Sequence, residues 1–142
     1  MEFIDLKSQF DKIEDKITNS IHNVLHHGKY IMGPEVQKLE NQLSSYVNSK
    51  YCITCSSGTD ALFMSLLALG IKKGDAVITT SFTFIATAEV ISLIGATPIF
   101  VDIDSKTFNI NPDLIEDAIL DIKKNTNLNI KAIIPVNIFG LP

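Results

Sequence analysis

AVITTSFTFIATAEVISLIGATPIFVDID, residues 76–104, decides the fold. It opens on a short β-prone run, AVITT (76–80), and closes on a second, TPIFVDID (97–104). Between them FIATAEVISLIGA (84–96) reads as a helix that is apolar on most sides, with Gly95 placed to end it. A helix with so little polar face predicts burial. Strand, helix and strand in this order predict a parallel pair joined by a crossover.

The pattern continues on both sides. YCITC (51–55) is short, apolar and β-prone, and predicts a strand. GTDALFMSLLALG (58–70) predicts a second buried helix, followed by a KKGD turn. Downstream, NPDLIEDAILDIKKN predicts a helix with Asn111 as cap and Pro112 in its first position. KAIIPV (131–136) predicts the last strand, and KKNTNLNIK (123–131) the most mobile connection. Upstream, Leu6, Phe10, Ile13, Ile17, Ile21, Val24 and Leu25 recur every three or four residues, which predicts an amphipathic helix between Asp5 and Gly28. Val36, Leu39, Leu43 and Val47 repeat that period after Pro34. Two helices followed by βαβαβαβ give an α/β fold with a largely parallel sheet covered on both faces. No internal repeat or low-complexity segment interrupts it.

At 142 residues, 46% hydrophobic and 20% charged, the chain has the size and composition of one globular domain. A net charge of −4 without a Lys/Arg block argues against a nucleic-acid surface. The start, MEFIDLKSQFDK, is charged and lacks the apolar core of a signal peptide, and no apolar run is long enough for a membrane span. Cys52 and Cys55 do not make a secreted disulfide framework, so a cytoplasmic location is expected. The end, IIPVNIFGLP, stops where a functional loop of an α/β protein would begin, which suggests a truncated chain.

Four groups of residues invite chemistry. Cys52 and Cys55 form a C-x-x-C, but strand residues three apart face opposite ways, so two ordinary strand residues are expected. His22 and His26 are four apart, yet Asn23 stands where a zincin has its glutamate and no third ligand follows; no metal site is expected. Asp102 and Asp104 end a strand and could hold Mg²⁺, as in haloacid-dehalogenase phosphotransferases. The threonine of that pattern is displaced from position 106, which is lysine, to Thr107, favouring a solvated turn. The fourth is SSGTD (56–60). A helix N-terminus there offers unpaired N–H groups, Gly58 allows close approach, and Ser56, Ser57 and Thr59 add hydroxyls, which suits a phosphate. Plain capping by Ser57 explains the same residues. Phe82 and Phe84, after the next strand, place an aromatic where a flat ring could stack, although Phe84 as ordinary core explains it equally. No dinucleotide fingerprint, P-loop or nucleophile elbow is present.

GKYIMGPEVQKLE, the stretch from CSSGTDAL to FVDID, and KAIIPVNIFG together resemble the DegT/DnrJ/EryC1/StrS sugar aminotransferases, over essentially the whole chain. The resemblance implies a fold type I enzyme dependent on pyridoxal 5'-phosphate (PLP). It implies that residues 1–142 are the N-terminal part of the PLP-binding large domain, with 1–50 a helical segment and 51–142 the βα units. Ser57, Gly58 and Thr59, with Asp60 beside them, match the phosphate-holding positions, and Phe84 the ring-stacking aromatic. Tyr30 and Met32, in the 28–35 loop, and Asn137 fall where the substrate is held. The implied reaction transfers an amino group, from glutamate, to a nucleotide-linked keto-sugar. The likeness is greatest to enzymes acting on a UDP-linked 3-keto-hexuronic acid for surface polysaccharides. Homodimers with shared active sites are implied as well. The family's Schiff-base lysine and its pyridine-pairing aspartate fall beyond Pro142, along with intervening strands and the small domain, so this chain alone is expected to be inactive. A PLP-dependent sugar dehydratase of the same family, a non-catalytic truncated product, and a Mg²⁺ phosphotransferase built on Asp102 and Asp104 are the competing readings.

Overall fold

The computed structural model describes residues 3–141. They form two compact units, divided between Thr54 and Cys55.

The amino-terminal unit holds α1 (Leu6–His27) and α2 (Pro34–Tyr46). Asp5 caps α1 by accepting the Ser8 N–H at 2.9 Å, and Gly28 ends it. Pro34 starts α2, where its missing N–H is no loss. The apolar stripe of α1 is present as a stripe, but Phe10, Ile13, Ile17, Ile21 and Leu25 all stay exposed. Residues 51–55 join no strand ladder, so the expected strand there is not formed. The reason is local: Glu40 on α2 takes both the Thr54 N–H and the Thr54 hydroxyl at 2.9 Å, in place of a neighbouring strand. The same bonds, backbone first, hold the Glu40 carboxyl below its ordinary pKa.

The second unit runs α3 (Gly58–Ala68), β1 (Asp75–Thr80), α4 (Ala86–Leu93), β2 (Thr97–Val101), α5 (Asp113–Asn125) and β3 (Asn129–Ile133). The three strands are parallel in the order β2-β1-β3. The chain therefore crosses from β1 to β2 in one direction and from β2 to β3 in the other. Right-handed crossovers then put α4 and α5 on opposite faces, which explains why every residue of β1 is buried. Val77, Val90, Ile91 and Leu66 form the core between β1, α4 and α3. Ile122 of α5 and Val101 of β2 are buried as well.

Helices α3 and α4 end alike. Gly70 and Gly95 take left-handed φ of 70° and 82°, and the next residues, Ile71 and Ala96, return their N–H groups to Leu66 and Ile91 at 3.1 Å. Both returning residues are buried in the same core cluster, so each stop signal also anchors its helix.

Several boundaries differ from the sequence expectation. α4 is shorter than 84–96, because residues 81–85 form an irregular loop. β2 ends at Val101, and Ile103 instead bridges Ile110 across a turn. β3 occupies 129–133 rather than 131–136, with Ile134 continuing the pairing by donating to Ile78 at 2.8 Å. The stretch 123–131, expected to be mobile, finishes α5 and starts β3. α5 starts one residue later than expected, at Asp113, with Pro112 rather than Asn111 in the cap position; Asn111 Oδ1 accepts the Asp113 N–H at 3.0 Å from one residue ahead of the cap. α3 was expected to be buried, but only Leu66 is; Met64 and Leu67 face outward.

Candidate functional site at the carboxyl edge of the sheet

A short turn carries α3 into the start of β1, so the amino end of α3 looks toward the carboxyl edge of the sheet. α4 starts directly beyond β1 and points its amino end to the same edge. The loops after β2 and β3 leave there too, and this is where α/β sheets hold ligands. Ser57, Gly58 and Thr59 sit together at the amino end of α3, Phe84 lies just ahead of α4, and Asn137 follows β3. Tyr30 and Met32 belong to the amino-terminal unit, in the loop between α1 and α2. The Tyr30 hydroxyl donates to the Leu25 carbonyl at 3.4 Å, and Met32 has a strained φ of 50°.

The amino end of α3 is both cap and open donor site. The Ser57 hydroxyl accepts the Asp60 N–H at 3.1 Å and donates to Asp60 Oδ2 at 3.0 Å. Ser56 donates to the same carboxylate oxygen. These hydroxyls, Ser56 first, hold the Asp60 carboxyl below its ordinary pKa. The capping reading of Ser57 is thus correct, and its hydroxyl proton is already taken. The N–H groups of Gly58 and Thr59 occupy the first turn, where a helix has no acceptor of its own for them.

Gly58 is the informative residue. A Cβ built on it meets nothing within 4 Å, and its φ is not in the left-handed region. The fold therefore does not require glycine, which is a poor helix residue. What glycine adds is an unobstructed approach to two N–H donors.

Elsewhere the edge is solvated. Phe84 is 71% exposed, so it is not core, and its ring is available. Asn137 is exposed and closes a turn through its carbonyl, which accepts the Gly140 N–H at 2.9 Å. Asp104 Oδ1 accepts the Thr107 N–H at 2.9 Å and the Lys106 N–H at 3.0 Å, which lower its pKa. Asp102 Oδ1 accepts its neighbour's N–H, that of Ile103. These carboxylates are committed to a turn. Among the described residues no three His, Cys, Asp or Glu side chains converge as a metal site. His22 and His26 are exposed, while His27 pairs with Glu35 at 3.1 Å. Cys52 and Cys55 are unpaired.

One cluster escaped the sequence. Phe82, Phe108 and Phe139, one from each loop beyond a strand, meet at centroid separations of 5.5–6.5 Å. They are far apart in sequence and share no periodicity, so only the topology reveals them.

Residues 11–142 match the DegT/DnrJ/EryC1/StrS aminotransferase family. The chain belongs to that family. It is 51% identical over 140 residues to a UDP-2-acetamido-2-deoxy-3-oxo-D-glucuronate aminotransferase of Pseudomonas aeruginosa, covering 99% of this chain and 37% of that protein. The crystal structure of a DegT/DnrJ/EryC1/StrS aminotransferase from Brucella abortus matches all of the chain at a TM-score of 0.96 and 47% identity, with 38% of that protein covered. NtdA of Bacillus subtilis, solved with bound cofactor PMP, matches 92% of the chain at 0.79 and 40% identity, with 28% covered. The chain thus spans between about a quarter and two fifths of the length of these DegT-family relatives.

The residues at the edge fit the phosphorylated cofactor expected of the family. Gly58 leaves space where a Cβ would stand, and the Gly58 and Thr59 N–H groups belong to the first turn, at the positive end of the helix. Thr59, half-buried, adds a hydroxyl. Asp60 opposes an anion with its own charge, and shares the same helix end.

Proposed function

We propose that this chain carries the phosphate cradle of a PLP-dependent aminotransferase acting on a nucleotide-linked keto-sugar. The observation that carries the reading is Gly58: a glycine the fold does not need, at the amino end of a helix, in a family whose relatives include one solved with PMP. The Gly58 and Thr59 N–H groups would hold the cofactor phosphate, and the exposed Phe84 ring would cover one face of the pyridine. When bound, PLP accepts the amino group of a donor and delivers it to a carbonyl carbon. Ser57 and Asp60 keep the cradle in shape by fixing the first turn of α3. Asn137, at the same edge, would orient the sugar; Tyr30 and Met32 are proposed to contact substrate on the family resemblance alone.

The likeness to the Pseudomonas enzyme supports a UDP-linked 3-keto-hexuronic acid as substrate; glutamate as donor and a place in surface polysaccharide synthesis belong to the same proposal and rest on the family resemblance. The exposed stripe of α1 supports a homodimer. Unpaired thiols, and the absence among described helices of one long and apolar enough to cross a membrane, support a cytoplasmic location. The test is to supply the whole protein with PLP, glutamate and the UDP-linked keto-hexuronate. The expected result is 2-oxoglutarate and amino-sugar in equal amounts. Loss of water from the sugar without use of glutamate would favour the dehydratase reading.

A further inference from the structure

Each of the three loops leaving the carboxyl edge contributes one phenylalanine to a single cluster. Phe108 stands in the middle of it, 5.8 Å from the Phe82 ring and 5.5 Å, edge-on at 86°, from the Phe139 ring. At these separations aromatic rings attract each other beyond their burial. The cluster lies outside the core between α3, α4 and β1, so it is not what holds the sheet together.

Phe108 reaches its place through an unfavourable backbone. Its φ is 61°, a left-handed conformation that bulky residues avoid. The turn around Asp104 enforces it: the Phe108 N–H donates to the Asp104 carbonyl at 2.8 Å, while the Asp104 side chain holds Lys106 and Thr107. Next to it the Asn109 amide donates to the Leu141 carbonyl at 2.9 Å, tying the second loop to the third. A strained residue held by this many contacts marks a geometry that its surroundings over-determine.

What the cluster fixes follows from the chain. Phe82 stands two residues before Phe84, and Phe139 two residues after Asn137. We infer that Phe108 is a positioning residue, which locks the loops of Phe84 and Asn137 relative to each other so that the edge is pre-shaped for a flat cofactor and its substrate. The inference rests on the proposed function. A site already ordered loses less freedom on binding, so loss of the Phe108 ring weakens the ligand more than the fold.

The test uses the whole protein with Phe108→Gly, Phe108→Tyr and Gly58→Val, titrated with PLP. Glycine accepts a φ of 61° without strain, so Phe108→Gly removes the ring while relieving the backbone. The expected result is PLP affinity about tenfold lower, an altered visible circular dichroism of the bound cofactor, and an unchanged melting temperature without ligand. Phe108→Tyr restores affinity and dichroism. Parent-like affinity and dichroism in Phe108→Gly overturn the inference. So does a loss matched by lower ligand-free melting that Phe108→Tyr does not restore. If Gly58→Val also binds PLP like the parent, the cofactor reading itself has failed. If Gly58→Val weakens binding and Phe108→Gly does not, only the positioning role falls.

Discussion

At Gly58 the fold and the ligand make different demands. The helix would be better served by alanine, and a Cβ there touches nothing. Gly58→Ala should therefore raise the stability of the ligand-free protein, by up to about 1 kcal/mol in urea denaturation. Ser57 answers to the fold instead. Ser57→Ala removes the cap that accepts the Asp60 N–H and should cost about 1 kcal/mol. Glu40 gives a test in pH. Its pKa is lowered by the Thr54 backbone bond and then by the Thr54 hydroxyl, so the tether is intact above the ordinary glutamate pKa and is lost as pH falls through the lowered one. The Thr54 amide proton resonance should titrate with a midpoint below about 4.3; a midpoint at or above that value contradicts the tether.

At the scale of elements, much was legible because local signals and tertiary packing agree. Asp5, Gly28, Pro34 and Gly95 each start or stop a helix as their chemistry suggests. The central strand was legible from its unbroken apolar and β-branched run, and it is buried on both faces. YCITC is also short and β-prone but has no ladder, because a strand is a property of a pair and no neighbour is offered to it. The outward faces of α3 misled in a similar way: apolar composition predicts burial only where something covers it. Ile91 of α4, fully buried in the core, is the element-scale test. Ile91→Ala should destabilise the protein by about 2–5 kcal/mol in denaturant.

For the molecule as a whole, the proposed function rests on one edge of one sheet. The strand order β2-β1-β3 brings the loops after all three strands to that edge, which no stretch of sequence states by itself. Ser57, Gly58 and Thr59 were visible as a motif, whereas the division of labour among them was not. Only the hydrogen bonds show that both serines serve Asp60. The Phe82–Phe108–Phe139 cluster was invisible for the same reason. Asp102 and Asp104, which sequence allowed as a Mg²⁺ pair, turn out to hold backbone N–H groups.

The most direct measurement is equilibrium binding of PLP to the whole protein beside its Gly58→Val and Asp102→Asn variants. The account predicts that Gly58→Val lowers affinity at least tenfold with ligand-free stability retained, and that Asp102→Asn binds as the parent does. Undiminished binding by Gly58→Val would contradict it.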